Sequence, residues 1–87
     1  MDILRVEASG GYSYLYFRNR PRLIVAQKLK AVERRLPPGL FARVHRGHLV
    51  NLYHVDTFTG NSLKIGEQWI PIGESYRSFV RNLFSFL

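Results

Sequence analysis

Two short turns in the sequence carry the side chains that are best suited to contacting a ligand. The first, from Ser9 to Tyr14, combines two glycines with serine and tyrosine hydroxyls. Small residues let a backbone approach a phosphate, and hydroxyls can donate hydrogen bonds to it. The second, from His45 to His48, is a basic turn whose Arg46 could recognise guanine through its forked donors. Both turns favour contact with a nucleic acid, although the first could equally be an ordinary glycine turn.

Few residues of this chain are suited to enzyme catalysis. His45 and His48 are three residues apart at a strand end, unlike the helical spacing of a zinc protease, and no neighbouring carboxylate completes a ligand set. Asp56, Glu67 and Glu74 are scattered singly, whereas a metal-dependent nuclease clusters its acids around the ion. The chain has no cysteine for a thiolate site. We therefore expect no enzymatic activity, no metal site and no cofactor.

The positive charge of the chain is concentrated in its middle. The 87 residues carry a formal net charge of +7, and residues 18–46 contain nine basic residues and a single acid, Glu33. So small a body with this charge attracts polyanions such as nucleic acid, an anionic membrane or an acidic protein. The regional distribution is the one expected of a footprint on phosphates, although for any single residue we favour a solvated helix face or a basic hairpin tip. The nine basic residues are Arg18, Arg20, Arg22, Lys28, Lys30, Arg34, Arg35, Arg43 and Arg46.

The first half of the chain is typical of strands followed by one helix. Alternating residues predict a strand over 2–8, and β-rich runs predict two more over 12–18 and 22–27. Between residues 27 and 36 the apolar spacing becomes helical, and two prolines end that helix. A further strand is predicted over 41–45.

The second half is typical of a meander and a last helix. Runs at 52–59, 62–65 and 68–72 are separated by glycine turns. We therefore expect a mainly β fold of small antiparallel sheets with a short inner helix and a C-terminal helix. The stripe of that last helix should pack as core, with a membrane-lying or dimerising helix as the alternative. The stripe is Tyr76, Phe79, Val80, Leu83, Phe84 and Leu87.

Length and hydropathy indicate one domain without a membrane span. Eighty-seven residues can bury one hydrophobic core, so we expect a single domain over residues 1–87. No apolar run approaches the length of a membrane helix, and the first residues are charged. We therefore expect a cytoplasmic protein with no membrane partner.

Alternation along the second strand suggests another kind of nucleic-acid site. Tyr12, Tyr14 and Tyr16 share one face of that strand, and exposed aromatic rings in a basic surround suit the stacked bases of single-stranded nucleic acid or RNA. A face of this kind is also found as half-buried packing. A third possibility is a protein-interaction domain. For His45 and Asn51 we favour structural roles as satisfied polar groups that close a turn.

Several short motifs follow one another along the chain. The most specific is the series Val-His-Arg, three residues, Val-Asn at residues 44–51. The other motifs are Val6-Glu7-Ala8 before Tyr12, the Leu29-Lys30 helix ending at Leu36-Pro37, Phe41 with Arg43, and Ile70-Pro71-Ile72 before the last helix. From Asp2 to about Phe84 the chain resembles the LytTR DNA-binding domain family.

The resemblance implies a mostly β domain that binds double-stranded DNA by projecting loop side chains into successive major grooves. It also implies binding to promoter direct repeats as paired copies, so a homodimer on DNA, in a bacterial transcription regulator such as a response regulator of a two-component system. The positions that match the contact loops of the family are Gly11, Tyr12, Ser13, Tyr14, Arg43, Arg46, Gly47, Glu74 and Ser75.

The chain departs from the family pattern after Ile72. Gly73-Glu74 stands where the family usually shows Ser-Arg, so an arginine contact is missing. Glutamate would repel phosphates unless it accepts a hydrogen bond from cytosine. Arg77, one helical turn later, could take over the cationic role. We expect base contacts from Ser13, Arg46 and Glu74.

Overall fold

The computed structural model describes residues 2–85, which form two antiparallel sheets and two short helices. The larger sheet has five strands in the order β3-β2-β1-β5-β4. Its strands are β1 (Ile3–Ser9), β2 (Tyr12–Phe17), β3 (Leu23–Val25), β4 (Phe41–His45) and β5 (His48–Asn51). The smaller sheet, in the order β6-β7-β8, contains β6 (Thr57–Phe58), β7 (Ser62–Ile65) and β8 (Gln68–Pro71).

The helices cover the sheets on two sides. Helix α1 (Leu29–Glu33) lies on one face of the larger sheet, and α2 (Arg77–Leu83) packs with the smaller sheet against the other face. Short 3₁₀ turns occur at Leu52–His54 and Glu74–Tyr76. No helix within residues 2–85 is long and apolar enough to cross a membrane.

Alternating side chains on the central strands divide the apolar residues between two clusters. In the first cluster, Val44 and Val50 of the larger sheet meet Leu63 of the smaller sheet and Val80 of α2. In the second, Val6, Leu29, Val32 and Leu49 join α1 to the sheet. Removing a side chain of this size from water stabilises the fold by roughly 1.5–3 kcal/mol.

The mainly β fold predicted from the sequence is confirmed, together with both helices. One strand prediction is wrong in part, because residues 52–54 form a 3₁₀ turn and only Thr57–Phe58 pair within the predicted run 52–59. The turn begins at Asn51, whose side chain accepts a hydrogen bond from the backbone N–H of Tyr53 and so interrupts the strand.

The predicted apolar stripe of the last helix is only partly buried. Val80 is fully buried, whereas Phe79 is 49% exposed, so its assignment to the core is wrong. Phe84 stacks on Phe58 of the smaller sheet. Helix α2 ends at Leu83 and presents one narrow side to the sheets, which leaves Phe79 facing outward. Leu87 of the stripe lies outside the described residues.

Candidate nucleic-acid interface

Two turns lie side by side at one end of the larger sheet. Strands β1 and β5 are antiparallel with Glu7 opposite His48, so the end of β1 lies beside the start of β5. The backbone N–H of Ala8 donates to the carbonyl of Gly47 at 2.9 Å and ties the two turns together. We call this end, with Gly10-Gly11 between β1 and β2 and Arg46-Gly47 between β4 and β5, the turn end.

The first turn depends on a glycine. Ser9 pairs with Tyr12, so only Gly10 and Gly11 connect β1 to β2. Gly10 has φ of 62°, a left-handed conformation that a residue with a Cβ rarely adopts. Both glycines are exposed, and a Cβ added to either would meet no atom within 4 Å, so their backbone is open to a ligand.

A third segment docks beside the second turn. The backbone N–H of Gly73 donates to the carbonyl of Val44 at 2.8 Å, which holds the segment after β8 against the end of β4. A Cβ at Gly73 would lie 3.0 Å from Cδ2 of Tyr76 and 3.5 Å from Cα of His45. Glycine therefore permits this close approach. An open depression of about 460 Å³ results, lined by His45, Arg46, Gly73, Glu74, Ser75 and Tyr76.

The second turn is held by bonds to its own backbone. The N–H of Gly47 donates to Nδ1 of His45 at 3.0 Å, so the predicted structural role of His45 is confirmed. The guanidinium of Arg43 donates to the carbonyl of Arg46. The side chain of Arg46 is exposed and lines the depression together with Glu74 and Ser75, which are exposed as well. The turn thus presents an exposed arginine side chain on a backbone that is held by hydrogen bonds.

Ser13 does not belong to this surface. Its side chain is fully buried, and its hydroxyl donates to the carbonyl of Gln27 at 2.7 Å. The expectation of a base contact from Ser13 is therefore wrong, because the segment that follows β3 covers this face of β2. Tyr12, its neighbour, is 52% exposed and points away from that segment. Gly11 is exposed too, so the first turn keeps two of its predicted contact residues at the surface.

The basic residues of the central stretch are spread over both ends of the larger sheet. Ile3 pairs with Phe17, so the hairpin of Arg18, Arg20 and Arg22 lies at the other end of the larger sheet from the turn end. We call it the hairpin end. Six residues of β2 separate the two ends, which is about 20 Å. Strand direction carries these three arginines away from Arg46, and their contact with phosphates stays a prediction.

The tyrosine face is largely occupied by arginine side chains of the same molecule. The guanidinium of Arg5 lies 3.8 Å from the ring centre of Tyr16, and that of Arg22 lies 4.4 Å from the ring centre of Tyr14. Both rings are half-buried. Bases cannot stack on a ring face that a guanidinium already covers. Of the three tyrosines, only Tyr12 offers an exposed ring with no such partner among the described residues.

Sequence comparison identifies the family of the chain. The family model of the LytTr DNA-binding domain matches residues 1–85. The chain belongs to this family. A similar solved structure is the LytTr DNA-binding domain of a Bacillus cereus protein described as a putative methyl-accepting/DNA response regulator, with a TM-score of 0.82 and 25% identity. The likeness covers 98% of this chain and 83% of that one. No curated protein matches the chain.

The LytTr assignment agrees with the resemblance inferred from residues 44–51 and the motifs around them. The family is one of DNA-binding domains and not of enzymes. Asn51, prominent in that motif, is 1% exposed, donates to the carbonyl of Ile3 and accepts from the N–H of Tyr53. Its predicted structural role in the LytTr domain is confirmed.

Glu33 is a residue of the LytTr domain whose role the sequence interpretation missed. Its carboxylate lies 3.6 Å from a guanidinium nitrogen of Arg43, the arginine that donates to the carbonyl of Arg46. A signal was present, since Glu33 is the only acid among nine bases in the central stretch. Arg77 begins α2, is half-buried, and has an Nε atom without a hydrogen-bond partner among the described residues. Its proposed cationic role stays a prediction.

His48 lies at the turn end of the LytTr domain in a site that disfavours its charged form. Burial lowers the pKa of His48 from its usual value of 6.5, and the nearby charge of Glu7 opposes this shift only in part. The ring lies edge-on to that of His45, with 5.1 Å between centres. Among residues 2–85 no three histidines and acids stand close enough together to hold a metal ion.

Proposed function

We propose that this chain binds double-stranded DNA in a sequence-specific way and regulates transcription in the bacterial cytoplasm. The observation that supports this most is the convergence of three loops at one end of the molecule. Two backbone bonds, from Ala8 to Gly47 and from Gly73 to Val44, join the first, second and third loops into one surface. Turns on a sheet scaffold can present side chains to base edges as a recognition helix does.

Each loop contributes a different chemistry to the proposed contact. Arg46 recognises guanine by donating from both terminal nitrogens to O6 and N7 in the major groove. Glu74, in the same depression, accepts from the amino group of cytosine, which offsets the repulsion of a carboxylate by phosphates. The exposed backbone of Gly10-Gly11 and the hydroxyl of Tyr12 donate to phosphates. Ser75 adds a further hydroxyl at the edge of the depression.

The proposed assembly has two copies on one duplex. The similar Bacillus cereus domain belongs to a putative response regulator, and we extend to this chain a role as the output domain of a two-component system. Each of two direct repeats in a promoter would then bind one copy of the domain. A cofactor is not part of this mechanism, because the contacts need only donors, acceptors and charge.

Selection from a random duplex library tests the proposal. We expect the domain to enrich duplexes with a common sequence, because Arg46 and Glu74 contribute base-specific donors and acceptors. The bound duplex should resist displacement by single-stranded DNA or RNA at equal nucleotide concentration. Measurement is by sequencing of the bound fraction and by fluorescence anisotropy of a labelled selected duplex.

The alternative functions suggested by the sequence predict different results in this experiment. Displacement of the duplex by single strands would favour stacking on tyrosines, although Arg5 and Arg22 cover two of the three rings. Binding that barely changes with salt would favour a protein partner, because phosphate contacts release counterions with a log–log slope of about −0.9 per contact. Either result would count against the proposed function.

A further inference from the structure

The guanidinium of Arg43 bonds within the protein although the residue matches a DNA-contact position of the family. One terminal nitrogen donates to the carbonyl of Arg46, and the other lies 3.6 Å from the carboxylate of Glu33. The remaining nitrogen, Nε, is buried. The side chain of Arg43 is 26% exposed. Little of it is left for a phosphate.

This arrangement connects helix α1 to the second turn. Glu33 is the last residue of α1, and α1 is fixed on the sheet by the buried side chains of Leu29 and Val32. Arg43 stands on β4, three residues before Arg46. Its guanidinium forms an ion pair with the helix carboxylate through one terminal nitrogen and donates to the turn carbonyl through the other. The single ammonium of a lysine would not reproduce this two-point geometry.

Among the described residues, the guanidinium of Arg43 is the partner of the Arg46 carbonyl. The next carbonyl, that of Gly47, accepts from the N–H of Ala8. The peptide group between Arg46 and Gly47 is held at both of its polar atoms, since its N–H donates to Nδ1 of His45 and its carbonyl accepts from Arg43. Of these two partners, Arg43 is the one that also pairs with helix α1, through Glu33. A shift of that peptide group would move Cα of Arg46 and with it the base of its side chain, and bidentate recognition tolerates little misplacement.

We propose that Arg43 and Glu33 are positioning residues that set the base preference of Arg46 from behind the DNA-contacting surface. The inference rests on the proposed function and adds to it a cause of specificity that lies in helix α1. Neither residue touches DNA in this arrangement.

The charge of Glu33 allows the inference to be distinguished from a purely electrostatic role of that residue. Glu33 is a negative charge on a strongly positive body, so its removal should by Coulomb attraction alone strengthen binding to every duplex. As a positioning residue it should instead support discrimination between duplexes. Glu33→Gln therefore separates the two explanations, because the general affinity rises slightly while the preference for one base falls.

The experiment uses the duplex that the wild-type domain selects from a random library. Its probes are that duplex, an unrelated duplex, and versions with one base pair changed at the position that Arg46→Ala affects. We expect Arg43→Lys and Glu33→Gln to lower discrimination at that position on the order of tenfold, with affinity for the unrelated duplex within about twofold of wild type. Arg34→Gln, an exposed neighbour on the chain, should weaken all duplexes alike.

A double-mutant cycle completes the test. In the Arg46→Ala background, Arg43→Lys should cause no further loss of discrimination, because the side chain that it positions is gone. Urea unfolding shows whether each variant is folded. If Arg43→Lys is unfolded, Glu33→Gln alone provides the test. Unchanged discrimination in both variants, or equal losses for all sequences, would overturn the inference and leave the proposed function standing. Failure of the wild-type domain to select any duplex would overturn both.

Discussion

Replacing Arg46 with alanine will relax the base preference of the domain at one position of its site. A well-formed arginine–guanine pair contributes about 1–3 kcal/mol of discrimination, which corresponds to roughly fivefold to more than a hundredfold. Arg46 is exposed and its backbone is held on both sides, so the substitution removes a contact without disturbing the core. The measurement is anisotropy with the selected duplex and each of its single-base-pair variants.

Arg34→Ala is the matched control for Arg46→Ala. Arg34 is exposed as well and carries the same charge, but it caps the end of helix α1 and lies in none of the three loops of the turn end. Its loss should weaken binding to all duplexes by a similar factor and make the salt slope shallower by about 0.9 if one phosphate contact is lost. Identical, sequence-independent losses from both substitutions would show that Arg46 contributes charge and does not recognise a base.

Asn51→Ala will destabilise the fold by about 3 kcal/mol, because it removes two buried hydrogen bonds. The side chain of Asn51 is 1% exposed. It donates to the carbonyl of Ile3 at 2.9 Å and accepts from the N–H of Tyr53 at 3.0 Å. Truncation leaves both backbone groups without their partner, and a buried unsatisfied group costs about 1–3 kcal/mol. This is a large share of the stability of a small domain. Urea unfolding followed by circular dichroism measures the change.

Asn82→Ala provides the comparison for the Asn51 substitution. Asn82 is exposed on α2, and its side chain makes no hydrogen bond to the described part of the chain. Its replacement should change the unfolding free energy by less than about 0.5 kcal/mol. If Asn51→Ala were as mild as Asn82→Ala, the structural role assigned to Asn51 would be wrong, and its place in the family motif would need another explanation.

Local pattern was enough to predict most strands and the roles of two polar residues. Alternation placed β1 and β2, and glycine dipeptides placed the turns that follow β6 and β7. The histidine and asparagine of residues 44–51 could be assigned to turn closure because short polar side chains next to a turn can satisfy nearby backbone groups. Strand β5 was not predicted as a strand, since four residues are too few to establish a period.

What the sequence could not predict depended on contacts between distant segments. The alternation of β2 separated Ser13 from the tyrosines, but its burial comes from Gln27, fourteen residues later. Arg18 and Arg46 belong to one charged stretch of the sequence, yet the antiparallel order of the sheet places them at opposite ends. The pairing of Glu33 with Arg43 likewise requires the packing of α1 on the sheet.

The most direct test of the proposed interface is a titration of the labelled domain with its selected duplex, followed by backbone amide chemical shifts. The proposal predicts the largest shift changes at residues 10–12, 46–47 and 74–75, the three loops that meet at the turn end, with little change at the hairpin end of residues 18–22. Large changes confined to residues 18–22, with the three loops unaffected, would contradict the proposal that the turn end binds DNA.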